Sequence, residues 1–124
     1  MPYVIEWEER GVYCKFSGRV TGAELIQCNK EIYGDHRFDG MRFQLFDMLS
    51  VTKLDVEVND VRKVAACDTG AAFTNPNVKC ALVTTDENAH VLSNLYQQGI
   101  EKSPWEGQSF HRISEAREWL SCRT

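Results

Sequence analysis

Nucleophilic or acid–base chemistry needs a Cys or Ser within reach of a His, with an acid to orient it, and this chain carries five cysteines and three histidines from which to build such a set. Cys14, Cys28, Cys67, Cys80 and Cys122 include no CxxC pair, so neither a zinc site nor a redox dithiol is expected. His36, His90 and His111 show no HxxxH or HxH spacing, and no Gly-x-Ser-x-Gly turn accompanies them. Only convergence in space of His90 with Cys80 and Asp47 would make an active site. The expectation is therefore a protein that is not an enzyme and has no cofactor. Cys14, Cys67 and Cys80 fall on predicted strand or helix positions beside apolar neighbours, where a thiol is ordinarily an inert, small apolar residue.

The acidic residues offer more. Asp47 interrupts the apolar run Phe43-Gln44-Leu45-Phe46-Asp47-Met48, and Asp55 with Glu57 stand just ahead of a helical pattern. A carboxylate at the end of a buried strand is either an acid with a perturbed pKa in a site or an acceptor for backbone N–H groups of the following loop, the second being the commoner case. Asp55 and Glu57 similarly suit the start of a helix, where the macrodipole favours negative charge. Trp105, in Ser103-Pro104-Trp105-Glu106, reads equally as a half-exposed anchor for a partner and as a seal over the sheet edge.

These residues are positioned by an alternation of strands and helices. Tyr3, Ile5 and Trp7, then Val12, Cys14 and Phe16, alternate with more polar residues around Glu9-Arg10-Gly11 and predict a hairpin at the less covered side of a sheet. Thr21 followed by Glu24 forms a capping box, with Leu25, Cys28 and Ile32 continuing at helical spacing. Arg42 to Met48 predicts a central strand, Leu49 to Asp55 a loop, and Glu57 or Asp60 to Thr74 a second helix with Val61, Val64, Ala65, Asp68 and Ala72 on one stripe. Val78 to Thr84 predicts another buried strand, Asp86 the cap of a third helix carrying Val91, Leu92, Leu95 and Tyr96, Ser109 to Ile113 a short edge strand, and Ser114 the cap of a last helix through Trp119 and Leu120. The order β-β-α-β-α-β-α-β-α predicts an α/β fold with a mixed five-stranded sheet and four helices, its crossovers right-handed. Ligands on such sheets favour the C-terminal strand ends, here Ser17 to Thr21, Asp47 to Asp55 and Thr84 to Asp86.

At 124 residues, residues 1–124 read as a single domain able to bury a core of its own. With 43% hydrophobic and 26% charged residues, the composition is that of a folded protein. A net charge of −4 without any run of Lys or Arg disfavours nucleic acid. No apolar run approaches the ~20 residues of a membrane span, and Met1 to Glu6 carries neither a charged nor an apolar leader segment, so no transmembrane segment and a cytoplasmic location are expected.

The element order, with Phe46-Asp47-Met48-Leu49-Ser50-Val51-Thr52-Lys53-Leu54-Asp55 between the third strand and second helix, resembles the STAS fold of bacterial anti-sigma factor antagonists, and Asp47, Val51, Thr52 and Asp55 match that family's pattern in place. The resemblance implies a phosphorylatable Ser or Thr just after Asp55, yet Val56, Glu57 and Val58 stand there. Phe16-Ser17-Gly18-Arg19-Val20-Thr21, Asn75-Pro76-Asn77-Val78-Lys79 and Glu115-Ala116-Arg117-Glu118-Trp119-Leu120 extend the likeness along nearly the whole chain to the SpoIIAA-like group of small bacterial proteins. What this implies is a SpoIIAA-like domain acting as a non-catalytic protein-interaction module, with Asp47, Thr52, Asp55, Glu57 and Trp105 on a docking face and a protein as partner. Glu57 would hold that face permanently negative, as an incomplete substitute for a phosphate. The alternative is a carrier or sensor of a small apolar ligand, for which the small residues Ala65, Ala66, Gly70, Ala71 and Ala72 would leave room against the sheet and Asp68 would supply a polar group. A homodimer through the hairpin edge or Trp105 is a further expectation.

Overall fold

The computed structural model describes residues 2–122. Strands β1 (Tyr3–Glu8) and β2 (Gly11–Thr21) form an antiparallel hairpin, α1 spans Gly22–Tyr33, and a short 3-10 turn at His36–Gly40 leads into β3 (Phe43–Asp55). There follow α2 (Val58–Ala71), β4 (Lys79–Val83), α3 (Glu87–Gly99), β5 (Glu106–Phe110) and α4 (Ile113–Ser121). The sheet order is β1-β2-β3-β4-β5, parallel from β2 to β5. This is the expected mixed α/β fold of five strands and four helices, with the hairpin at one edge.

Alternation along the strands divides the core in two. Val12, Cys14 and Phe16 of β2, with Phe46 and Met48 of β3, face α1, α2 and α3 in the larger cluster. Leu45 of β3 and Val83 of β4 face the opposite way and are covered by Ala116, Ile113, Trp119 and Leu120 of α4. The first helix starts as its residues dictate: Glu24 N–H donates to Thr21 Oγ1 at 3.3 Å while Thr21 N–H donates to Glu24 Oε1 at 2.8 Å.

The segment Leu49 to Asp55, expected as a loop, is instead the second half of β3. It pairs with a matching extension of β2, from Ser17 opposite Ser50 to Thr21 opposite Asp55. The extension depends on Gly18, whose φ of +67° lies in the left-handed region and accommodates a register shift in β2. Other boundaries moved by a few residues. Helix α2 ends at Ala71 rather than Thr74, the edge strand is Glu106–Phe110 rather than Ser109 to Ile113, and Arg112 rather than Ser114 occupies the N-cap of α4. Val91 points to solvent, 58% exposed, and Cys67 on α2 is exposed rather than packed among apolar neighbours.

Candidate functional site

Helix α2 packs between α1 and α3 rather than flat on the strands, and beneath it lies a cavity of about 120 Å³. Its walls are mostly hydrocarbon: Leu25 from α1, Phe46 and Met48 from β3, Val61 and Val64 from α2, Leu82 from β4, and Ala89 and Leu92 from α3. Phe46 and Leu82 stay half-buried although helices cover that face of the sheet, because their side chains border the open space.

The cavity has two ends. Leu54, Val56 and Val61 lie where β3 passes into α2, and Ala89 and Leu92 lie in the first turns of α3. In a parallel sheet with returning helices, that is the C-terminal edge of the strands, the usual place for a ligand to enter. Leu54, Val56, Val64 and Leu92 are all half-exposed there. Toward the opposite edge the lining turns polar. Gln44 and Cys80 are the second residues of β3 and β4, and Asn29, Asp68 and Tyr96 sit in the later turns of α1, α2 and α3.

The polar end is deeply buried and incompletely bonded. Asn29, Gln44 and Asp68 are 2%, 3% and 2% exposed. The Tyr96 phenol donates to Asp68 Oδ2 and lies 3.5 Å from Cys80 Sγ, which in turn is 3.8 Å from Gln44 Oε1. Among the described residues no partner reaches Asp68 Oδ1, Gln44 Nε2 or either amide atom of Asn29. Buried polar atoms left this way are uncommon in folded proteins and costly. Burial pushes the Asp68 carboxyl up to about 7, against the opposing effect of the Tyr96 hydrogen bond. Burial, followed by the nearby Asp68 charge, also raises the Cys80 thiol above the usual range, so Cys80 is no ready nucleophile.

The residues expected on a docking face do not line the cavity, and they are divided between the interior and the surface. Asp47 is buried on the α4 side of the sheet, accepting from Tyr13 Oη at 2.5 Å and from Leu49 N–H at 3.0 Å. Burial and then this hydrogen bond push the Tyr13 phenol up to about 12. Trp105 is only 3% exposed, tilted against Phe38 and donating from Nε1 to Asn75 O at 2.7 Å, so it is packed into the core rather than half-exposed. Thr52, Asp55 and Glu57 are exposed. Asp55 accepts from Arg19 at 2.5 Å, which holds its carboxyl below the usual range, and Glu57 N–H at the start of α2 is capped by Asp60 Oδ2 at 2.9 Å.

His90, Cys80 and Asp47 do not converge. Cys80 faces the cavity and Asp47 the other side of the sheet, while His90 is held between Ser109 Oγ at 2.8 Å and Thr84 O at 2.9 Å. Because a carbonyl only accepts, His90 Nε2 carries the proton. Among the described residues no group of three or more His, Cys, Asp or Glu could hold a metal ion, and no helix is long and apolar enough to cross a membrane.

No protein-family model and no curated protein matches the chain. Solved structures do. One is a DUF3478-family protein with a SpoIIAA-like fold from Shewanella loihica PV-4, 14% identical, covering 95% of this chain and 91% of that one at a TM-score of 0.51. Another is the anti-sigma factor antagonist SpoIIAA in its unphosphorylated form, 9% identical, covering 94% of each chain at a TM-score of 0.58. The fold is SpoIIAA-like. At these identities the likeness concerns the path of the chain alone and carries no function with it.

Of the cavity residues, Asp68 was legible in the sequence as a polar interruption of an apolar helix stripe. Asn29 carried the same signal, lying one position after Cys28 and four after Leu25 on the buried face of α1. Gln44 stood out with Asp47 as a polar residue in the otherwise apolar Arg42 to Met48 strand, whereas Tyr96 read as an ordinary helix residue, and nothing in the sequence pointed to their meeting.

Proposed function

We propose that this protein is a non-catalytic binding module that takes up a small, largely apolar molecule between α2 and the sheet. The single observation that carries the reading is the cavity itself, apolar over most of its wall with a few polar groups gathered at one end, as small-molecule sites usually are. An engineered apolar cavity of about 150 Å³ is enough to hold benzene, so the space here suits one ring or a short branched chain, with any longer part of the ligand leaving through the half-exposed rim. Thermal-shift and NMR titration with small aromatic and alicyclic compounds tests the reading. Binding should raise the melting temperature, and Val64→Phe, which fills the space from α2, should abolish the effect without unfolding the protein. A panel that leaves the wild-type melting temperature and spectra unchanged would end this reading.

A second reading, a protein-docking module, is favoured by one feature. The β2–β3 extension and the start of α2 expose Leu49 and Val58 beside Thr52, Asp55 and Glu57. The solved structure of an anti-sigma factor antagonist with this fold supports such a role by analogy. Asp47 would then brace β3 behind the face, and Trp105 has no part in it. Glu57→Lys should weaken capture of a protein partner from a lysate, at a cost in stability of about 1 kcal/mol or less because Glu57 is the N-cap of α2. An unchanged set of captured proteins would remove that face from consideration.

A further inference from the structure

The polar end of the cavity specifies more than the apolar walls do. Asn29 Nδ2 and Gln44 Nε2 are donors without acceptors, whereas Asn29 Oδ1 and Asp68 Oδ1 are acceptors without donors. These atoms belong to residues of α1, β3 and α2 that line the same space. A ligand group that only accepts would answer the first pair and leave the second unpaired, and one that only donates would do the reverse.

Charge narrows the choice further. Asp68 is the only acid lining the cavity and no Lys, Arg or His joins it among the described residues. The other groups facing Asp68 are Tyr96 of α3, which donates to it, and the thiol of Cys80 on β4. Above about pH 7, where Asp68 is ionised, a ligand carboxylate placed here would meet a second carboxylate with no cation to offset either, in surroundings where unpaired charge is strongly disfavoured.

We propose that the cavity selects ligands whose buried head is an uncharged group that both donates and accepts hydrogen bonds, a hydroxyl or primary amide on a ring-sized apolar body, and that it excludes carboxylates such as fatty acids. This specificity rests on the small-molecule reading above. The head lies among Asn29, Gln44 and Asp68, and the apolar body extends toward Leu54, Val56 and Leu92 at the strand C-terminal edge. Asn29 is the selective group, because its amide offers one donor and one acceptor from the same side chain. Asp68 accepts from the hydroxyl or amide N–H through Oδ1 while Oδ2 stays occupied by Tyr96.

Three near-isosteric probes separate the possibilities: phenol, toluene and benzoate, titrated by NMR into the full chain at pH 8, where Asp68 is mostly ionised. Phenol should bind about tenfold or more tightly than toluene, the effect of one well-made buried hydrogen bond. Benzoate should not bind the wild type but should bind Asp68→Asn. Asn29→Leu, with Gln44→Met as a second variant should the first fail to fold, should weaken phenol and strengthen toluene. If toluene equals phenol and Val64→Phe abolishes both, the cavity binds small molecules but the head-group selection is wrong. Benzoate binding to the wild type as well as phenol would also overturn it. Phenol binding that survives both Asn29→Leu and Val64→Phe would place the site elsewhere. If none of the probes binds, the specificity and the small-molecule reading fall together.

Discussion

The Tyr96 phenol of α3 donates to the Asp68 carboxylate of α2, joining the two helices that roof the cavity. The contact makes Asp68 a reporter of the cavity's dryness. Burial raises the carboxyl to about 7, while in the unfolded chain it titrates near ~3.9. Between those values the folded protein holds a proton that the unfolded chain has lost. The stability tied to this group is therefore fully present below about pH 4 and is lost as pH rises to about 7, by an amount on the order of 4 kcal/mol. Asp68→Asn keeps an acceptor for Tyr96 but cannot ionise. Urea unfolding at pH 4 and at pH 8 should show little change at the lower pH and a clear gain at the higher one. Parallel pH profiles for the two proteins would mean that Asp68 is better hydrated than its burial suggests.

Gly99 near the end of α3 faces Ala65 of α2, and a methyl on Gly99 would come 2.6 Å from the Ala65 Cβ. Neither partner is a flexible side chain that could turn aside, so the helices themselves would have to move. Gly99→Ala should destabilise by about 1–3 kcal/mol despite its better helix propensity. Adding Ala65→Gly should recover part of that loss, a coupling that a double-mutant cycle measures directly. Additive effects of the two substitutions would show that the helices part freely at this crossing.

Thr21 and Glu24 announced α1 because capping is a local interaction among neighbours in the chain, and the alternation of Tyr3, Ile5 and Trp7 announced β1 for the same reason. The second half of β3 was missed because its partner, the extension of β2 past Gly18, is a non-local pairing. The clue was negative: Leu49 to Asp55 contains no Gly, Pro or Asn to make a turn. The cavity was legible only in one misplaced acid, Asp68: the small residues expected to leave room, Ala65, Ala66, Gly70, Ala71 and Ala72, do not line it, and its α2 wall is Val61, Val64 and Asp68. Whether small residues let a helix sit closer or leave a hole depends on how α1 and α3 hold it, and that lies outside any local pattern. Trp105 could not be assigned from its loop because its partner, the Asn75 carbonyl, is 30 residues away.

Asp47 is tied into the sheet through both of its carboxylate oxygens. Its two oxygens accept from Tyr13 Oη and from Leu49 N–H, the latter where β3 begins its extension. Tyr13→Phe deletes one donor without opening a cavity and leaves Asp47 Oδ2 short of a partner on the α4 side of the sheet. The expected cost is about 1–3 kcal/mol by urea unfolding, the usual penalty for orphaning a buried acceptor. Ligand affinity in the cavity should not change, since Tyr13 and Asp47 face the other side of the sheet. A neutral substitution would mean that water reaches Asp47 freely.

Trp105 and Asn75 form a second such brace at the opposite edge. The Asn75 amide donates to Phe38 O at 2.8 Å and Met41 O at 2.7 Å, while its carbonyl accepts from the Trp105 indole. One side chain and one carbonyl thus tie the turn after α2 to the 3-10 segment before β3 and to the loop before β5. Trp105→Phe keeps an aromatic against Phe38 but removes the indole N–H and leaves unfilled volume, so a loss of about 2–4 kcal/mol is expected. Asn75→Ala should cost a similar amount, because two buried carbonyls lose their donor. The pair should also be coupled: once Asn75→Ala has loosened the turn, Trp105→Phe should cost measurably less than it does alone. If Trp105→Phe instead left stability unchanged but altered binding to another protein, Trp105 would have to leave the core in solution and act as the surface anchor its loop first suggested.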